Sequence, residues 1–362
     1  VLTRSRTTSL VVILLLIAAS CTVSADPRPV PAGASPDPTP RPILIELPRD
    51  ELAHDSRLEW WYFNGHLESE SGDEYGYHFV IFKSQDDENE PNYVAQGAVL
   101  DVAGKAHVVE ARARAGGRLA SSENPGIDLA GWSLDIGPAP GTFRIEAEGD
   151  AVGLDLQLEA QTDIMLHKEI GWIPTEAGAT YYYSWPRQQT DGTITLNGEE
   201  LSVEGTSWFD HQWGNFFVVG KPAGWQWFAL LLSDGSALMV SDARGVDGES
   251  ADLYATYMGG DGQLSHIASG IDIDILDTWT SPHSGGEYPS EWRMTIDDIA
   301  LDVTLQPVFN EQEVSEGLPR ASTYWEGKVD VSGTKNGDLI TGMAYVELSG
   351  YVDPEPIEWL HR

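Results

Sequence analysis

The stretch "TITLNGEELSVEG", Thr193 to Gly205, reads as one strand, an Asn-Gly turn and the returning strand. Asn197-Gly198 supplies the two residues that tolerate positive φ in a two-residue hairpin turn. The same punctuation recurs outward from it. Asp191-Gly192, Asp234-Gly235 and Asn336-Gly337 each sit between apolar or alternating runs and read as further tight hairpins. From Ile43 onward period-2 segments dominate, no long stretch carries helical periodicity, and the 37 glycines are spread over turns rather than massed in a repeat. An all-β fold, an antiparallel sandwich or barrel, follows.

At 362 residues the chain exceeds one usual domain, and a hydrophobic fraction of 41% is enough for a proper core. The segment "GNFFVVGKPAG", Gly214 to Gly224, separates an acidic hairpin region from a new strand run and marks the expected boundary. The expected units are residues 43–214 and 215–362. Each is long enough to close a small barrel of roughly eight to ten strands.

Residues 1–20 carry Arg4 and Arg6, then the apolar run "LVVILLLIAA" from Leu10 to Ala19. That run is too short to cross a bilayer as a mature helix and has the layout of a secretory signal. Ala18, Ala19 and Ser20 before Cys21 resemble a bacterial lipoprotein cleavage box, and Cys21 is the sole cysteine, so it is expected to carry a lipid rather than a disulfide. Residues 22–42, rich in Pro and Ser, read as an extended tether from that anchor. The expected location is the cell envelope, with simple secretion as the alternative. The 57 acidic residues against 21 basic ones, a net charge of −36, repel phosphate backbones and exclude nucleic acid as a partner.

Five aromatic stretches could carry chemistry. In "LEWWYFNGHL", Leu58 to Leu67, a strand places Trp60, Tyr62, Asn64 and His66 on one face. This aromatic yet polar face suits a cavity for a mostly apolar ligand, or else Trp60 and Tyr62 fill a barrel and His66 lies in water at the strand end. His78 in "YGYHFVIF" is either a further ligand contact or a satisfied core histidine. "YYYSWPRQQTDG" from Tyr181, with Tyr183, and "TYWEGKVDVSG" from Thr323 are ordinary barrel strands unless their hydroxyls converge on the fifth stretch. That stretch is "WFDHQWGN", Trp208 to Asn215. Extended, it puts Trp208, Asp210 and Gln212 on one face and Phe209, His211 and Trp213 on the other. An imidazole beside an indole can orient a water while the indole stabilises positive charge, the equipment for acid-promoted addition to an alkene. Alternatively Asp210 caps a turn and His211 is a structural hydrogen-bond donor. No G-x-S-x-G, H-E-x-x-H, P-loop or cysteine pair is present, and the nine histidines lack metal-ligand spacing, so no metal is expected.

"LEWWYFNGHL", "YYYSWPR", "GTITLNGEELSVEGTSWFDHQWG", "GWQWFALLLSDGSALMV" and "TYWEGKV" together resemble the family of carotenoid 1,2-hydratases and AttH-like predicted secreted hydrolases, whose distant fungal relatives include decalin-forming Diels-Alderases. The resemblance spans Ile43 to Arg362 and implies two consecutive lipocalin-like barrels with a ligand pocket near their junction, to which Trp227 would contribute. It also implies that His211 and Trp213 act with an aspartate on "ALMVSD", Asp242, while Val240 stands where hydratases have a tyrosine. In the chemistry this suggests, a protonated Asp242 gives its proton to an isoprenoid double bond, Trp213 holds the cation, and water oriented by His211 attacks, without a cofactor; the Asp210-His211-Trp213 cluster fits this enzyme reading. The alternatives are a non-catalytic carrier of a lipophilic ligand and a pericyclic catalyst acting by shape.

Overall fold

The computed structural model describes residues 43–353 apart from 86–89, 116–124, 176–177, 215–223, 246–247 and 316–321. The expected leader, Cys21, the tether and most of the expected boundary segment lie outside the described residues. Among those described, the only helical pieces are two 3-10 turns, Arg49–Glu51 and Asp297–Ile299.

Everything else of regular structure is strand, in two antiparallel sheets. The first holds β1 (Leu58–Ser69), β2 (Glu74–Gln85), β3 (Pro91–Asp101), β4 (Ala106–Ala115), β5 (Ile127–Leu129), β6 (Trp132–Ile136), β7 (Thr142–Glu148), β8 (Val152–Ala160), β9 (Met165–Leu166), β10 (Trp172–Thr175), β11 (Gly178–Leu196) and β12 (Glu199–Gly214). Its order is β4-β3-β2-β1-β12-β11-β8-β7-β6-β5, with β9 and β10 also paired to β11. The two ends of this order, β4 and β5, meet, so the sheet is a nearly closed barrel. The second sheet holds β13 (Gly224–Leu232), β14 (Ala237–Arg244), β15 (Ser250–Met258), β16 (Leu264–Ile267), β17 (Ile271–Thr280), β18 (Glu287–Ile296), β19 (Leu301–Pro307), β20 (Glu313–Val314), β21 (Tyr324–Lys335) and β22 (Asp338–Ser349). It runs β16-β15-β14-β13-β22-β21-β19-β18-β17, with β20 on β21, and forms a half-barrel rather than a second closed one.

Asn197-Gly198 and Asn336-Gly337 are two-residue turns with φ of 52° and 83°, and 54° and 86°, the left-handed pairs that an Asn-Gly hairpin needs. Asp234-Gly235 also lies between two paired strands, β13 and β14, but in a four-residue loop, 233–236, in which only Gly235 has a positive φ, 87°. Asp191-Gly192 does not form a turn: it lies inside β11, paired to β8. A Cβ on Gly192 would stand 2.0 Å from the Asp155 carbonyl oxygen, so this glycine permits a close strand approach instead.

Strand alternation sorts the core into three layers. Trp61, Phe63, Phe209, Tyr183 and Trp213 point into the first barrel. Phe228, Val240, Trp292, Trp325 and Val346 fill the concave side of the second sheet. Between the sheets lies a third layer, with Tyr62, Tyr182 and Trp208 from the first sheet and Trp227, Met239 and Tyr345 from the second. β1 reads aromatic on both faces because both are covered: one lines the barrel, the other meets the second sheet.

Candidate functional site

The seam between the sheets gathers most of the polar aromatic face read from β1. Tyr62 Oη donates to Glu326 Oε1 at 2.5 Å, and Nδ1 of His78 lies 3.4 Å from Glu326 Oε2. Glu326 on β21 stands directly opposite Glu347 on β22. Glu326 is buried and Glu347 partly so. Two carboxylates in such a position repel each other, and burial penalises both charges. Burial first and Glu347 second push Glu326 well above the usual carboxylate range, while burial pushes Glu347 up to about 7 against a hydrogen bond from Trp225. At neutral pH the pair therefore retains a proton.

Asp210 belongs to the same seam. Its carboxylate accepts from Tyr182 Oη, from Ser184 Oγ and from Trp208 Nε1 at 2.5 Å. Trp227 Nε1 in turn donates to Tyr182 Oη at 2.9 Å. Burial raises Asp210 to about 6 despite its three donors, and its charge reaches Glu347. Ser184 continues to His167 Nε2 at 2.8 Å, and His167 Nδ1 to Thr256 Oγ1 at 3.0 Å, which ties β15 of the second sheet to the first barrel. Trp60 packs against this layer, its ring 6.5 Å from Phe82.

Beyond the acid pair the seam holds polar atoms with no partner. They are Asn64 Nδ2, His66 Nδ1, His107 Nε2 and Tyr345 Oη, and no well-formed hydrogen bond reaches either ring nitrogen of His78. His66 is 8% exposed, so it does not lie in water at the strand end. Burial lowers His66 to about 3, His107 to about 4 and His78 well below its ordinary value, leaving all three neutral.

His211, Trp213 and Tyr183 face the other way, into the first barrel. His211 Nε2 lies 3.1 Å from Glu59 Oε1 and its Nδ1 3.4 Å from Tyr183 Oη. Glu59 also takes His54 Nδ1 at 2.7 Å and Lys83 Nζ at 2.9 Å. Burial would raise Glu59, but the hydrogen bonds from His211 and His54 outweigh it and hold the group at about 2. His211 itself is lowered to about 4, chiefly by burial, and stays neutral. The Trp213 indole is already stacked on His54, with ring centres 4.0 Å apart, and on Tyr181 at 5.2 Å. The polar atoms of His54, Glu59 and His211 lie within 4.8 Å of one another, a spacing that could hold a metal ion. The Lys83 ammonium already sits on the same carboxylate and supplies the positive charge a metal would bring.

Asp242 occupies a third place. Gln226 Nε2 donates to its Oδ2 at 3.3 Å, and Gln226 Oε1 accepts from Trp292 Nε1 at 3.1 Å, on the concave side of the second sheet beside Val240. Among the described residues no hydrogen bond, ion pair or ring contact joins Asp242 to His211. The expected trio of His211, Trp213 and Asp242 is thus divided between two interiors, because consecutive strand residues face opposite ways and each sheet has its own core. Asp210 parts from His211 for the same reason, and Tyr183 from the remaining ligand-facing candidates. Trp60, Tyr62, Asn64, His66, His78, Asp210 and Trp227 all belong to the seam. An open groove of about 560 Å³ on the outside of β6 to β8, lined by Asp135, Arg144 and Gln157 among others, includes none of these residues.

Glu326 and Glu347 are candidate site residues that the motif reading passes over. Their signal was present: a two-residue turn at Asn336-Gly337 fixes the register of β21 on β22, and counting back nine residues from Lys335 and on nine from Asp338 brings the two glutamates face to face.

A model of the AttH-like family matches residues 38–351. The crystal structure of an AttH from Nitrosomonas europaea superposes with a TM-score of 0.76 at 28% identity, covering 87% of this chain and 100% of that one. Kievitone hydratase from Nectria haematococca gives a TM-score of 0.70 at 18% identity, covering 84% of this chain and 93% of its own. CghA gives 0.51 at 11% identity, covering 83% and 90%. No curated protein matches the sequence.

Proposed function

This chain belongs to the AttH-like family, and we propose that it is a hydro-lyase that adds water, without a cofactor, to a carbon–carbon double bond of a hydrophobic isoprenoid or polyene held between its two sheets. The observation that carries this reading is the Glu326–Glu347 pair, a proton-bearing carboxyl pair placed among Tyr62, Trp225 and Trp227. A carboxyl kept neutral in an apolar site is a competent acid toward an alkene. Glu326 gives its proton to the less substituted carbon, the new C–H bond forms from the π electrons, and a tertiary cation results. The faces of Tyr62 and Trp227 stabilise that charge. Water then adds to the cationic carbon and loses a proton to the Glu326 carboxylate, which restores the acid. The substrate gains one water and nothing is oxidised.

The acid role passes from Asp242 to Glu326 because Asp242 is engaged with Gln226 in a separate core. Asp210 keeps a part: its charge bears on Glu347 and so on how tightly the pair holds its proton. That kievitone hydratase shares the fold supports placing hydration on this scaffold. The leader-like residues 1–20 and Cys21 support a lipid-anchored protein of the cell envelope, where lipophilic substrates collect.

The test is incubation of the full chain with acyclic carotenoids and smaller isoprenoids in oxygen-labelled water, beside Glu326→Gln. Label uptake that the variant abolishes supports the hydratase. Ligand retained unchanged by both proteins would make the chain a carrier instead.

A further inference from the structure

The seam is graded along β1. Trp60, Tyr62, Asn64 and His66 follow one another on its outer face at steps of about 7 Å. Trp60 lies at the aromatic end with Trp225, Tyr62 meets the acid pair, and Asn64 and His66 continue into the unpartnered polar atoms, with the Tyr345 ring 6.0 Å from that of His66. We infer that the substrate is amphipathic, an alkenyl chain whose far end carries an uncharged oxygen group such as an alcohol, phenol or ketone, seated on a polar subsite formed by Asn64, His66, His78 and Tyr345. This rests on the hydration reading for the position of the double bond and on separate residues for the position of the oxygen.

The first argument is energetic. A buried polar group without a partner costs about 1–3 kcal/mol, and such groups are rare in native proteins. Here they converge from β1, β2 and β22 on one region, where apolar residues of similar shape would pack at no such cost. A ligand oxygen that accepts from Asn64 Nδ2 and exchanges hydrogen bonds with the imidazoles and the Tyr345 hydroxyl recovers that cost on binding.

The second argument fixes the class. Neutral imidazoles and an amide offer both donors and acceptors but no positive charge. The nearby ammonium, Lys328, is already paired with Glu74. A carboxylate or phosphate therefore has nothing to offset its desolvation, whereas an uncharged oxygen is well served. The spacing adds a length: the oxygen lies about 7 to 13 Å from the acid, on the order of five to ten carbon–carbon bonds from the reacting double bond.

Geraniol, geranic acid and the parent hydrocarbon lacking the oxygen are matched probes of suitable length. The full chain should bind geraniol, followed by tryptophan fluorescence, and hydrate it with a kcat/KM about tenfold or more above the other two. Tyr345→Phe removes only the unpartnered hydroxyl. It should shrink that preference about tenfold through KM while Tm stays level or rises. Asn64→Leu should do the same, a second route if one variant folds poorly. Equal treatment of geraniol and hydrocarbon, no binding of any of the three, or a fall in Tm with an unchanged preference would overturn the proposal. Preferential geraniol binding with no label uptake from any alkene would instead remove the hydration reading and leave the polar subsite standing.

Discussion

Glu326 and Glu347 face each other across the hairpin of β21 and β22, one held by Tyr62 from the opposite sheet and the other by Trp225 from its own. Two acids thus share one proton where the sheets meet. Because each raises the other, removing one should be felt as a change in the acidity of the other.

Turnover should need the proton on Glu326, so kcat/KM is expected to be flat at acidic pH and to fall only as pH rises past the value to which burial and Glu347 raise Glu326, well above the usual carboxylate range. Glu326→Gln should lower kcat by about a hundredfold or more. Glu347→Gln should move the alkaline limit downward, since it removes the repulsion that raises Glu326. A pH–rate profile with the same limit in that variant would rule out the pair as the acid.

The same shift has a consequence for folding. Glu347 has a folded value of about 7 against an ordinary 4.5, so its contribution is fully present below about 4.5 and is lost as pH rises through about 7. Urea unfolding should show Glu347→Gln gaining stability relative to the parent at pH 8, on the order of 2 kcal/mol, and little or none at pH 4.

Glu59 should behave in the opposite sense. Its folded value of about 2 lies below the ordinary 4.5, so its stabilisation is present above about 4.5 and is lost as pH falls through about 2. Glu59→Gln leaves Lys83 without its buried counter-charge and should cost about 3–5 kcal/mol at neutral pH, seen in the urea midpoint.

His211→Phe separates two roles for the histidine. As a brace for Glu59 it should be missed in stability, by about 2 kcal/mol, while kcat per folded molecule stays within a few-fold of the parent. Loss of turnover with an unchanged Tm would return the chemistry to the first barrel.

Gly192→Ala should destabilise by about 2–4 kcal/mol, because its Cβ would meet the Asp155 carbonyl 2.0 Å away on a neighbouring strand. Gly198→Ala has open space around it and only a positive φ to strain, so about 1 kcal/mol is expected. Denaturant curves of the two variants compare the effects directly.

Much of this was readable from residues alone, and the failures have physical causes. Asn197-Gly198 reads as a hairpin because nothing else suits two successive positive φ values. Asp191-Gly192 carries the same letters in kind, but a glycine equally serves where backbones crowd, and only the partner strand β8 tells the uses apart. Alternation correctly separates Asp210 from His211. It does not say which face looks into a barrel, because β1 and β12 are apolar on both sides and both sides are covered. Asp242 looked like a partner for His211 through its place in a motif, yet a motif carries no distance. Glu326 sits inside "TYWEGKV" with no motif around it, and only the Asn336-Gly337 turn, through the register it sets, brings it opposite Glu347.

The pairing of β1 with β12 also sets a timetable. Leu58 lies opposite Gly214, so the middle of the first barrel is stitched by segments that emerge from the ribosome about 150 residues apart. At ordinary rates of synthesis that is a wait of roughly 8 to 30 seconds. β13 waits similarly for β22, with Trp225 opposite Ser349. For that interval β1 offers aromatic residues on both faces and one unpaired edge, a template for pairing with a stranger. A cell that makes this protein must keep the nascent chain shielded until its twelfth strand arrives.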